Sequence, residues 1–212
     1  FQAGCAFLEG AGYKLPNAGL FKDRYVAIRE KYRAFSRESL KEWVITDAIA
    51  ELLMSAGLDH YPDLAERFFD AYYQPVGRQL TIFDDTLDVL TILKERGLKI
   101  GLVSNTIFPE SYHREELKRF GIAAFLDYAI FSSSFGYRKP HPAIYQKAVD
   151  LMDVEKKHLL FVGDRYQEDY VGPTAIGLNA VLRYTEKREY PRPLPDGTTI
   201  IHSLSELIPL IA

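Results

Sequence analysis

The chain has 212 residues, 47% hydrophobic and 26% charged, a balance that suits one sizeable domain or a domain carrying an insert. Its net charge of −3 comes with no long basic run, so nucleic-acid and anionic-membrane binding lack electrostatic support. Cys5 is the sole cysteine, which excludes an internal disulfide and a thiolate metal cluster and suits a reducing, cytoplasmic setting; no apolar run is long enough to span a bilayer.

Residues 1 to about 80 carry helical spacing. Between Phe21 and Phe35 the apolar residues Tyr25, Ile28, Tyr32 and Phe35 recur at helical steps. Tyr25, Arg29, Tyr32 and Arg33 are read as a solvated amphipathic face rather than a substrate surface. Ser39–Ala56 forms a second helix, with Trp43 in its core and Gly57 as its stop. Asp63–Tyr73 forms a third, ending before Pro75.

After residue 80 the period changes, and short apolar strands alternate with helices. Asp85–Arg96 reads as a helix with Asp84 or Asp85 as N-cap and Gly97 as stop. Strands follow at Lys99–Ser104, Tyr128–Ser133, Leu159–Asp164 and Asn179–Tyr184, with another at Thr198–His202. Helices fill the gaps: Ser111–Phe120, one after Pro142, one ending near Gly177, and Leu204–Ile211 at the end. Lys187–Gly197, with Pro191, Pro193 and Pro195, reads as a surface loop. The fold class is therefore α/β: a Rossmann-like parallel sheet with helices on both faces over residues 81–212, plus an all-helical segment over 1–80.

In open parallel sheets, ligands bind beyond the carboxyl ends of the strands. Those ends carry Ser104-Asn105-Thr106, then Arg138-Lys139-Pro140, then Gly163-Asp164 followed by Glu168-Asp169. A hydroxyl, an ammonium and carboxylates thus come from successive strand ends. Ser104 and the N–H groups after it can donate to phosphoryl oxygens. Lys139 is a compact positive charge. Asp164 is a hard oxygen donor of the kind Mg²⁺ requires, and Asp169 can support it. His60, His113, His141, His158 and His202 are scattered without zinc spacing. No dinucleotide-binding or Walker loop is present.

Together these residues resemble the haloacid dehalogenase-like (HAD) hydrolase superfamily. Val103-Ser104-Asn105 is similar to its second motif, Arg138-Lys139-Pro140-His141-Pro142 to its third, and Gly163-Asp164 with Asp169 to its fourth. The helical first part resembles the family's C1-type cap, which would close over the site. The resemblance implies a Mg²⁺-dependent phosphatase of a small phosphorylated substrate. Ser104 and Lys139 would be catalytic, and Ser104, Asn105 and Lys139 would bind substrate. Asn105 would act through its backbone N–H. Asp164 and Asp169 would serve the metal, and His141 is given no role. The family's nucleophile lies in an Asp-x-Asp-x-Thr motif after a central strand, which is expected to precede Phe1. Asp84-Asp85-Thr86 does not replace it, because neither aspartate has a second carboxylate two residues on. A metal-independent 2-haloacid dehalogenase and an inactive HAD-like binding module are the alternatives. A flavodoxin- or receiver-like domain is a more distant one, disfavoured by the large helical first half.

Overall fold

The computed structural model describes residues 1–15, 17–58 and 63–211; His60 lies outside them. The chain divides into two compact units, Phe1–Thr81 with Ile107–Glu116, and Ile82–Thr106 with Leu117–Ala212.

The first unit is helical. It contains α1 (Gln2–Gly10), α2 (Ala18–Ser39), α3 (Ile45–Met54) and α4 (Leu64–Gln79). Asn17 starts α2 by accepting from the Gly19 and Leu20 N–H groups at 2.9 and 3.4 Å, which satisfies donors that a first helical turn leaves unpaired. The core is built from Leu8, Phe21, Tyr25, Ile49, Leu52, Phe68 and Phe69, with Trp43 beside them. The buried stripe of α2 runs Phe21, Tyr25, Ile28 and Ser36. Tyr25 is thus a core residue, whereas Arg33 is exposed and pairs with Glu30. Phe35, although it keeps helical spacing from Ile28, stands 53% exposed.

Two helix limits differ from the sequence reading. The second helix starts at Ile45 rather than Ser39, because Leu40 caps α2 in the left-handed conformation (φ 54°) and breaks the run. Pro75 lies inside α4 rather than beyond it. Proline removes one hydrogen bond there, but Tyr73 and Val76 pack on the core on either side of it and keep the chain helical.

The second unit holds the strands. In chain order it runs α5 (Thr86–Glu95), β1 (Gly101–Ser104), α6 (Glu110–Arg119), β2 (Tyr128–Phe131), α7 (Ser132–Phe135), α8 (Pro142–Met152) and β3 (Leu160–Gly163). A π-helical stretch, Tyr166–Val171, leads into α9 (Gly172–Ala175), β4 (Asn179–Arg183), β5 (Ile200–Ile201) and a 3₁₀ helix, Leu204–Ile211. The α6 helix begins among the residues of the first unit and ends in the second.

Among the described residues every strand pairing is parallel, and the strands form two sheets, β1-β2 and β3-β4-β5. Ile130, Ile144, Tyr145, Ala148 and Leu178 pack as one core cluster; Val181, Ile201 and Leu207 form another. Asp85 is the N-cap residue of α5, but its carboxylate reaches elsewhere. It accepts from the Ser205 N–H at 3.0 Å and the Ser205 hydroxyl at 2.9 Å, tying the start of α5 to the final 3₁₀ helix.

Candidate active site

The β1 and β3 strands end on the residues with chemical use. Ser104 is the last residue of β1, and its hydroxyl has no hydrogen-bond partner among the described residues. Asn105 turns away and clasps the lysine segment: its amide donates to the Lys139 carbonyl at 2.9 Å and its oxygen accepts from the Lys139 N–H at 2.7 Å. The next residue is fixed in a similar way. The buried Ser132 hydroxyl accepts from the Thr106 N–H at 2.8 Å and donates to the Thr106 carbonyl at 3.1 Å.

The Lys139 side chain lies between the two sheets. Its ammonium donates to the Val103 carbonyl on β1 at 2.9 Å and stands 5.2 Å from the centre of the Phe161 ring on β3. It also meets Asp169 Oδ1 at 2.5 Å, with both side chains under a tenth exposed. A buried ammonium without a counter-charge would be strongly penalised, so the carboxylate is what permits Lys139 to be there.

Asp169 is fully engaged. Oδ1 holds Lys139, and Oδ2 accepts from the Arg165 N–H at 2.9 Å. Its carboxyl group lies where a side chain on Gly163 would go, so only glycine fits the end of β3. Tyr145, fully buried on α8, donates its hydroxyl to the Glu168 carbonyl at 2.6 Å and fixes the turn from the other side. Burial, with Asp169 and Glu168 nearby, pushes the Tyr145 phenol far above its ordinary range, so it remains a donor.

Asp164 sits apart from this buried pair. Its side chain is 34% exposed, and Oδ2 accepts from Arg188 Nε at 2.8 Å. Its donor chemistry suits Mg²⁺, a hard cation that takes one or two carboxylates and retains waters rather than needing a protein cage. Among the described residues no group of three His, Cys, Asp or Glu is placed to hold a metal ion. His141 caps α8, its Nδ1 accepting from the Ala143 N–H at 3.2 Å, and stacks on Tyr137.

The structure therefore brings Asn105, Lys139 and Asp169 into one connected network, with Ser104 following Val103 on β1, and leaves Asp164 half-buried just ahead of it. Sequence reasoning missed three contributors. The Asn105 side chain acts on the Lys139 backbone, Tyr145 braces the Asp169 turn, and Arg188 comes from the proline-bearing loop. No helix among the described residues is long and apolar enough to cross a membrane.

Residues 12–177 match the model of a family described as haloacid dehalogenase-like hydrolase. A glyceraldehyde 3-phosphate phosphatase of Methanothermobacter thermautotrophicus is 31% identical over 129 residues, which cover 59% of this chain and 56% of that protein. A phosphoglycolate phosphatase of Shigella boydii is 25% identical over 199 residues, covering 92% of this chain and 74% of that one. The chain spans about half the length of the first curated relatives it matches, 56% and 55% for the phosphatases of Methanothermobacter thermautotrophicus and Methanopyrus kandleri. The crystal structure of a 2-haloacid dehalogenase from Pseudomonas syringae superposes with a TM-score of 0.70 at 20% identity, covering 99% of this chain and 87% of that one, a likeness of fold.

Proposed function

We propose that this chain, which belongs to the haloacid dehalogenase-like hydrolase family, supplies the phosphate- and metal-handling side of a Mg²⁺-dependent phosphatase. Its substrate would be a small phosphorylated metabolite, the class named in relatives from Methanothermobacter thermautotrophicus and Shigella boydii. The observation that carries this reading is the buried Lys139–Asp169 pair, held where β1 and β3 end beside Ser104.

The Ser104 hydroxyl would donate to a phosphoryl oxygen, joined by the backbone N–H of Asn105. Lys139 would balance the charge of the phosphoryl group and of the attacking carboxylate. Asp164 would hold Mg²⁺, which when bound neutralises charge on phosphoryl oxygens. Asp169 would support that site from behind, as the counter-ion of Lys139. The nucleophile would be an aspartate on a further strand between β1 and β3. That strand would join the two sheets, since β1 pairs only with β2 and β3 only with β4 among the described strands. Its carboxylate would attack phosphorus as the ester P–O bond breaks. The second Asp of the motif would protonate the leaving oxygen and then activate the water that hydrolyses the aspartyl-phosphate.

The test is phosphate release from a panel of small phosphomonoesters by the full-length natural protein, with and without Mg²⁺. Release that requires Mg²⁺ and is abolished in Asp164→Ala supports the reading. Full Mg²⁺-dependent activity in Asp164→Ala removes Asp164 from the metal site. Halide release from 2-haloacids without metal would make the protein a dehalogenase. No turnover of either kind would make it a binding module.

A further inference from the structure

The carboxylate proposed for the metal already has a cation on it. Arg188 Nε donates to Asp164 Oδ2 at 2.8 Å. Two residues on, the Tyr190 hydroxyl donates to the Asp164 carbonyl at 3.0 Å and accepts from the Thr185 N–H at 3.1 Å. Tyr190 also stacks on Tyr184, with ring centres 4.8 Å apart. The chain just after β4 is therefore pinned to Asp164 through both its side chain and its backbone. Beside this strap lies an open groove of about 480 Å³, lined by Arg165, Tyr166, Lys187, Arg188, Tyr190 and Pro191.

The pair is placed to be broken. Arg188 and Asp164 are 39% and 34% exposed, so water screens them on both sides. The contrast is with Lys139–Asp169, where both partners are sealed in. A guanidinium is monovalent and weakly hydrated; a divalent cation brings twice the charge to the same oxygen. The Tyr190 contact goes to the carbonyl of Asp164, so it can hold the strap nearby while the guanidinium leaves.

We propose that Arg188 is a tethered counter-cation that competes with the divalent metal for Asp164 and thereby sets the metal affinity of the site. The proposal rests on the reading of Asp164 as a metal ligand, and the experiment separates the two. The probe is Mn²⁺, with the free ion counted by electron paramagnetic resonance in titrations of the full-length protein, its Asp164→Asn variant, Arg188→Gln and Arg188→Lys. An exposed ion pair contributes a few tenths to about 1 kcal/mol, so Arg188→Gln is expected to bind Mn²⁺ about two- to fivefold more tightly. Arg188→Lys, which keeps the charge, is expected within about twofold of the parent. Unaltered or weaker Mn²⁺ binding in Arg188→Gln, while Asp164→Asn binds poorly, overturns the competition. Unaltered binding in Asp164→Asn overturns the metal reading itself and makes Arg188–Asp164 a structural ion pair. A second measurement needs no variant: trypsin cleavage after Arg188 is expected to accelerate at saturating Mn²⁺ as its side chain comes free of Asp164. A rate unchanged by Mn²⁺ also counts against the proposal.

Discussion

Lys139 and Asp169 meet at 2.5 Å with side chains only 9% and 5% exposed, and neither could be there without the other. Removing one partner leaves an uncompensated buried charge, which costs about 3–5 kcal/mol. Asp169→Asn and Lys139→Ala are therefore each expected to lose stability on that scale in urea denaturation. The double variant Lys139→Met/Asp169→Leu is expected to recover part of it, because an apolar pair of similar volume needs no counter-charge. It will not recover all of it, since the Arg165 N–H loses its acceptor. Phosphate release is expected to fall by at least about 100-fold in all three variants. A double variant no more stable than the worse single one would show that the pair's charges are not what links these sites.

The Asn105 amide makes two hydrogen bonds to the Lys139 backbone, 2.9 Å from its nitrogen and 2.7 Å to its oxygen. It positions Lys139 without touching the ammonium. Asn105→Ala is expected to cost about 1–3 kcal/mol, because a part-buried N–H and carbonyl lose their partners. The kinetic effect should fall on kcat more than on KM, since the misplaced charge matters most as the transition state forms. Asn105→Asp keeps the acceptor for the Lys139 N–H but lacks the donor, so its kcat is expected between those of the parent and the alanine variant. Equal kcat in all three would leave the clasp a fold-stabilising contact only.

Much of this site can be read in the linear chain, for a physical reason. A parallel strand followed by a helix has a short apolar run and then a polar turn, so Ser104, Asp164 and the lysine segment declare themselves by position. Asp169 announces itself as a carboxylate just after β3, but not as the lysine's counter-ion; that depends on a buried meeting across thirty residues of chain. The role of Asn105 is hidden likewise, because one side chain can cap, bind substrate or clasp a backbone with the same local sequence. Arg188 is the extreme case. It sits in a charged, proline-bearing stretch that reads as solvated loop, and its partner is 24 residues earlier with no periodic signal linking them. In the helical unit, Pro75 misleads because local propensity assigns a break where core contacts of Tyr73 and Val76 outweigh one lost hydrogen bond.

Gly163 offers a test of how closely β3 and the Asp169 turn are fitted. A methyl group there would overlap the Asp169 carboxyl, which cannot swing aside because Lys139 and the Arg165 N–H hold its two oxygens. Gly163→Ala is expected to destabilise by about 1–3 kcal/mol, the usual range for overpacking, and to displace Asp169 from Lys139. Thermal unfolding reads the first effect. A crystal structure of the variant with the Lys139–Asp169 contact intact would refute the second.

Asp85 belongs to the acidic pair that imitates a nucleophile motif, yet its carboxylate ties α5 to the last helix through Ser205. Burial alone would raise its pKa; the bonds from the Ser205 N–H and hydroxyl outweigh that and leave it below the ordinary carboxyl range. The sign follows from linkage. A carboxyl whose folded pKa is depressed contributes stability above its unfolded pKa, about 3.9, and loses it as pH falls through the folded value. Asp127 works in the same direction, held down first by its hydrogen bond from Lys94 and then by the Ile100 N–H. Stability is therefore expected to decline below about pH 4. Asp85→Asn is expected to be less stable by about 1 kcal/mol at neutral pH, comparable to losing a helix cap. Its melting temperature should fall less steeply with acid than the parent's, because one of the linked carboxyls is gone. Parallel curves for the two proteins between pH 7 and pH 3 would show that the Asp85–Ser205 tie is not among the groups that acid disrupts.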